Sequence, residues 1–202
     1  MNMAVFERPA LFVAAGVVLA FALASAWLVP RGPVTTTEAL VTMAVALVVG
    51  LVVGAATGSR WMLLLAPVAF VAVFEVARMG AWGPTVDAPG SLGILHLLAF
   101  LLGRAPQWLL TVVPMLLGTL VGLALAPRFG VVVARPLGTG GGVAAFALAI
   151  VVAAVAVVVA RPATTAPILG ADGRVVPGSV AELTSVEIGG HPQALMIRGR
   201  ST

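Results

Sequence analysis

Long runs of apolar residues, separated by arginine, proline and glycine, constrain this chain more than any other feature of its sequence. Of its 202 residues, 61% are apolar and only 9% are charged, whereas soluble domains carry about 25% charged residues. A chain with so few charges lacks the polar surface that a water-soluble enzyme of this length needs. The composition therefore indicates an integral membrane protein whose main partner is the lipid bilayer.

A helix needs about 20 apolar residues to cross the hydrocarbon core of a bilayer. The apolar runs predict about five transmembrane helices, at residues 9–29, 39–58, 61–77, 108–126 and 143–160. The first run also fits a signal peptide, because residues 24–26 form an Ala-x-Ala cleavage pattern. We favour a retained helix, since the run is long and an acidic residue, Glu7, stands in its leading region.

The segment between the third and fourth predicted spans, residues 79–107, contains a short apolar run at 94–103. About ten residues are too few to span, so this run predicts one short interfacial helix. If it does cross, the chain has six spans and a cytoplasmic tail. The arginines divide evenly between the two sides and decide nothing about orientation. Because the longest loop shares its side with the tail, we expect a multi-pass plasma-membrane protein with an extracytoplasmic tail.

The character of the chain changes near Arg161, where a polar tail begins. Residues 179–188 alternate in polarity and are rich in β-branched side chains, a Gly-Gly turn follows, and residues 193–199 form a second strand pattern. We therefore predict an all-α polytopic membrane bundle with a C-terminal β-hairpin. Its domains are a transmembrane helical domain, residues 1–161, and an extramembrane tail, residues 162–202.

Two of the predicted spans carry small residues at a spacing of four. These helix-packing candidates are Gly50, Gly54 and Gly58 in the second span, and Gly118 and Gly122 in the fourth. This spacing places glycines on one helix face, so a neighbouring backbone can approach closely. We favour packing within the chain, and a homo-oligomer assembled through the glycine faces is the other interpretation.

Ionisable residues at membrane depth are costly and often functional. Glu75 is the strongest such candidate, although a pair with Arg78, three residues later, favours a structural role. His96, with Asp87 and Arg104 nearby in sequence, is a candidate for a polar binding pocket at the outer face. The alternative function is thus a stand-alone transport or channel subunit that uses Glu75 or His96 to move a small solute or protons.

Several kinds of site are excluded by the residues themselves. The chain has no cysteine and only two histidines, so it offers neither a thiolate nor a histidine-rich metal site. No Gly-x-Ser-x-Gly motif or catalytic triad is found, and the glycine run at 138–142 lacks the lysine of a phosphate-binding loop. Its arginines are scattered singly, which argues against nucleic acid as a partner. We expect no cofactor, no metal and no catalytic residue.

The tail sequence LTSVEIGGHPQALMIRGRST resembles the entry to an α/β-hydrolase domain of the proline-iminopeptidase-like kind. In that family a hairpin of the form V-x-I-G-G-x-x-Q-x-L-x-I-R-G leads to an oxyanion loop. The matching positions are scaffold residues: Gly189, Gly190, Ile197, Arg198 and Gly199. The stretch at 84–122 resembles the multi-helix membrane segment that precedes such hydrolases in actinobacterial membrane proteins.

The resemblance implies a membrane-anchor domain that positions an α/β-fold serine hydrolase at the membrane. The tail would then begin an incomplete hydrolase-like domain, completed in cis or in trans. The family's nucleophile, acid and histidine all follow the matched hairpin, so none of them maps onto residues 1–202. We expect hydrolase activity only where the chain continues past Thr202.

Overall fold

The computed structural model describes residues 8–28, 34–79, 93–133 and 135–200. The chain forms two compact units, Met1–Ala160 and Arg161–Thr202. The first unit is helical, and the second contains a two-stranded antiparallel hairpin. The described chain is therefore mostly helical with a C-terminal β-hairpin, in agreement with the coarse fold predicted from the sequence.

The helical unit contains α1 (Arg8–Leu28), α2 (Thr36–Thr57), α3 (Met62–Arg78), α4 (Ile94–Leu125) and α5 (Thr139–Ala160), with a 3-10 turn at Ala126–Phe129. Four of these described helices, α1, α2, α4 and α5, are long and apolar enough to cross a membrane. The remaining helix, α3, has 17 residues. At 1.5 Å per residue it is about 25 Å long, which is close to the minimum for a span.

The expectation of a short helix at 94–103, separate from a span at 108–126, is wrong. Both segments belong to α4, a continuous helix of 32 residues that contains Pro106 and Pro114. Each proline removes one backbone hydrogen bond, but apolar bundles tolerate this because packing and local hydroxyl groups compensate. Between the prolines, Thr111 Oγ1 donates to the carbonyl oxygen of Gln107 at 2.8 Å, which adds a side-chain hydrogen bond to this stretch of the helix. The carbonyls that lose their helical N–H partners to the prolines are those of Leu102 and Leu110.

Both ends of α2 are fixed by local hydrogen bonds. The backbone N–H of Thr35 donates to the Glu38 carboxylate at 2.8 Å, and the Glu38 N–H donates to Thr35 Oγ1 at 3.3 Å. This reciprocal arrangement is a capping box. At the other end Gly58 adopts a left-handed conformation, with φ of 58°, and its N–H donates to the Gly54 carbonyl. Glycine takes this conformation without steric cost, so the helix stops there.

The helices pair in an interleaved order, with α1 mainly against α3 and α2 mainly against α4. The main core lies among α1, α2 and α3, where Phe21, Phe70 and Phe74 stack with ring centroids 5.0 and 5.7 Å apart. A short turn joins α2 to α3, but the main neighbour of α2 is α4.

Helix α5 contributes little to the core. None of its residues is buried, and Val152, Val155 and Val159 pack only partly buried against a small cluster on α2 and α4. Large side chains on its other faces are exposed, including Phe146 at 69%. This apolar surface has no protein neighbour within the described residues.

The C-terminal hairpin pairs β1 (Ser179–Ile188) with β2 (His191–Arg200), from Ser179 opposite Arg200 to Ile188 opposite His191. The two turn residues, Gly189 and Gly190, have φ of 62° and 79°. Two successive positive φ values are typical of a type I′ turn, which glycine favours. The hairpin predicted from the alternating sequence is confirmed.

Candidate functional site

Glu75 of α3 and Arg104 of α4 form an ion pair between two helices. The Arg104 Nε lies 3.2 Å from the Glu75 Oε2, and each side chain is only 12% exposed. Charged groups within an apolar bundle are costly unless they are paired. The pair therefore holds the C-terminal half of α3 against α4.

The guanidinium groups of Arg78 and Arg104 lie over aromatic rings in the same region. Arg78, one turn after Glu75, is 4% exposed, and its guanidinium carbon lies 5.3 Å from the centroid of the Phe74 ring. The Arg104 guanidinium carbon lies 5.6 Å from the Phe100 ring centroid. A cation over a ring face is attracted by the electron density of the ring. Both arginines are thus held inside the bundle.

Two further polar side chains of α4 belong to this region, and sequence reasoning missed them. The Gln107 Nε2 and the Trp108 Nε1 are buried and have no hydrogen-bond partner within the part of the chain that the structure describes. They follow Arg104 by three and four residues, a spacing that puts them on its helix face. The spacing of three and four residues could have identified them, but only if residues 94–125 form one helix, which the sequence did not predict.

The structure brings together two of the four predicted binding residues, Glu75 and Arg104. Asp87 lies outside the described residues. His96 lies in the first turn of α4, and its side chain is not among those described. No group of three or more potential metal ligands occurs within the described residues.

Four of the predicted packing glycines lie in one interface between α2 and α4: Gly50, Gly54, Gly118 and Gly122. The glycines of each helix lie against backbone atoms of the other helix. A Cβ atom added at Gly50 would overlap the carbonyl oxygen of Met115, and one added at Gly118 would overlap the carbonyl oxygen of Leu47. Only glycine allows two helix backbones to approach this closely. The glycine face of each helix is therefore occupied within the chain.

Gly58 lies apart from this glycine interface. It ends α2 in the left-handed conformation, and an added Cβ would lie 2.9 Å from the Val132 carbonyl oxygen. This position therefore needs glycine both for its backbone conformation and for the close approach of the connection that follows α4.

The polar cluster joins two helices, α3 and α4. The Glu75 carboxylate lies against a guanidinium group, and two grooves on the bundle, of about 330 and 280 Å³, are lined by apolar side chains of α1, α2 and α3. No protein-family model, curated protein or solved structure matches this chain. A function for this chain must therefore be inferred from its own residues and contacts.

Proposed function

We propose that this chain is a multi-pass membrane-anchor domain that holds an α/β-fold serine hydrolase at the plasma membrane. In this proposal the helical unit is inserted in the bilayer, with α3 as a fifth and short span. The C-terminal unit is the extramembrane entry to the hydrolase domain, which is supplied in cis or in trans. The role of the chain is positional, and catalysis belongs to the hydrolase domain.

The single observation that carries this proposal is α5, an apolar helix with no buried residue that leads directly into the polar C-terminal unit. Phe146 and Val158 are 69% and 66% exposed. Each Å² of such apolar surface costs about 25 cal/mol in water, and lipid removes that cost. Because Arg161 follows α5 immediately, an inserted α5 keeps the start of the C-terminal unit at the membrane surface.

The hairpin supports the hydrolase part of the proposal. Its register places Val180, Val186, Ile188, Leu195 and Ile197 on one face, and these side chains are 38–49% exposed. A two-stranded hairpin is marginal in water without a covered face. In an α/β fold such as that of the hydrolases that the sequence resembles, further strands would pair with its edges and helices would cover this face.

The proposal predicts a larger species than the chain alone. We expect the protein isolated from its own membrane to have an intact mass well above 20.3 kDa, with peptides that continue past Thr202, or to copurify with a hydrolase chain. A fluorophosphonate probe, which labels activated serine nucleophiles, should label that species. Heat-denatured membrane is the control for nonspecific labelling. A mass of 20.3 kDa with no labelled partner would overturn the hydrolase assignment.

A further inference from the structure

We propose that the end of the bundle that carries Arg60, Arg128 and Arg135, here called the basic end, faces the cytoplasm and binds anionic phospholipid headgroups. This inference rests on the proposed insertion of the helices. It gives the extracytoplasmic tail expected from the loop lengths a second basis, in the exposure of the arginines, and it adds a lipid partner.

The three arginines share one end of the bundle. At this end α2 and α4 finish, and α3 and α5 begin. The two connections contact one another, because the Arg60 Nη2 donates to the Pro136 carbonyl oxygen at 2.8 Å. Gly58 also lies against the connection that follows α4, since an added Cβ there would lie 2.9 Å from Val131 Cγ1. All three arginines therefore lie in connections at the same end of the bundle.

The chemistry of the basic end matches an anionic membrane surface. The three arginine side chains are exposed, and residues 58–61 and 126–138 contain no acidic residue. Arg60 and Arg128 are each followed by an exposed aromatic residue, Trp61 at 67% and Phe129 at 69%. Guanidinium groups bind phosphate oxygens in pairs, and aromatic side chains favour the headgroup level. Both features fit phospholipid headgroups.

Arg161, which follows α5 at the opposite end of the bundle, is exposed, but the other described arginines at that end are not. Arg78 and Arg104 lie against the aromatic rings and the carboxylate between α3 and α4, with 4% and 12% exposure. The exposed carboxylate of Glu38 also lies at that end. Because only one described arginine at the opposite end is exposed, the basic end carries more exposed arginines in its connections. Arginine-rich connections face the cytoplasm, where the leaflet is anionic.

Orientation is tested by cysteine accessibility, because the natural chain has no cysteine. Gly138→Cys lies at the basic end, where an added Cβ meets no atom within 4 Å, and Thr164→Cys lies beyond α5. We expect a membrane-impermeant maleimide to label Thr164→Cys in intact cells, and Gly138→Cys only after permeabilisation. The reverse pattern would overturn the proposed orientation, but it would agree with the proposed membrane anchor. Equal labelling of both in intact cells would mean that α5 does not cross, and the proposed anchor would fail.

Lipid binding is tested on the purified full chain in detergent, with bound phosphatidylglycerol and phosphatidylcholine counted by native mass spectrometry. We expect Arg128→Gln with Arg135→Gln to reduce the preference for phosphatidylglycerol by about fivefold for each arginine removed. This pair leaves the Arg60 hydrogen bond intact. The control, Arg198→Gln with Arg200→Gln, removes two exposed charges from the hairpin. An unchanged preference in the first variant, or an equal loss in both, would overturn the lipid proposal.

Discussion

Gly118→Ala is expected to lower the thermal stability of the detergent-solubilised chain, whereas Gly103→Ala, on the same helix, should raise it. A Cβ at Gly118 would overlap the Leu47 carbonyl oxygen and lie 2.8 Å from the Leu51 nitrogen. Helices α2 and α4 must then move apart, at a cost of about 2 kcal/mol. At Gly103 a Cβ meets no atom within 4 Å, and alanine gains about 1 kcal/mol of helix propensity. Thermal unfolding followed by circular dichroism measures both changes.

The same pair of variants separates packing within the chain from self-association. Because the glycine faces are occupied within the chain, Gly118→Ala should change the melting temperature without changing the oligomeric mass measured by light scattering. Gly50→Ala, on the facing helix, should act like Gly118→Ala, since its Cβ would overlap the Met115 carbonyl oxygen. A variant that keeps its melting temperature but loses oligomeric mass would place the glycine face between chains instead.

Glu75→Gln is expected to destabilise the helical unit by about 3 kcal/mol, because it leaves the Arg104 guanidinium buried without the carboxylate that lies 3.2 Å away. The double variant Glu75→Gln with Arg104→Gln should recover the part of this loss that comes from the buried Arg104 charge, since that charge is then removed as well. Glu187→Gln is the matched control for removal of a carboxylate, because Glu187 is exposed and lies in the hairpin, outside the helical unit. Thermal unfolding of the natural chain, Glu75→Gln, Arg104→Gln and the double variant forms a double-mutant cycle for the pair.

The cycle also addresses the alternative of a transport subunit. An anchor predicts a coupling between Glu75 and Arg104 and no proton flux in proteoliposomes, with or without Glu75. If Glu75→Gln keeps the natural melting temperature and abolishes a measured flux, the carboxylate is a relay and the anchor proposal is contradicted.

Local patterns in the sequence predicted local structure. The hairpin followed from alternation and the Gly189-Gly190 turn, and the helices followed from apolar runs between turn residues. The exception was α4, because the apolar run at 94–103 is too short to span by itself and predicted a separate helix. A proline ends a helix in water, but in an apolar bundle the helix continues because no better partner for its backbone is available.

The candidate site was predicted only in part, because its decisive contact is not local. The sequence points to Glu75 as a charge in apolar surroundings, with Arg78 three residues later, and to Arg104 as a neighbour of His96, but it does not join Glu75 to Arg104. The ion pair with Arg104 depends on how α3 and α4 pack, and no periodicity within either helix specifies that packing. Gln107 and Trp108 were missed for the same reason.

The interleaved pairing of the helices has a consequence for synthesis. Helix α2 is made well before α4, so its Gly50 and Gly54 face exists for a time without the helix that fills it. At about 5–20 residues per second, the interval is on the order of several seconds. During that interval the α2 backbone is open to any small-residue helix nearby. The bundle is therefore most open to mispairing of α2 in the interval after α3 has been made and before α4 is complete.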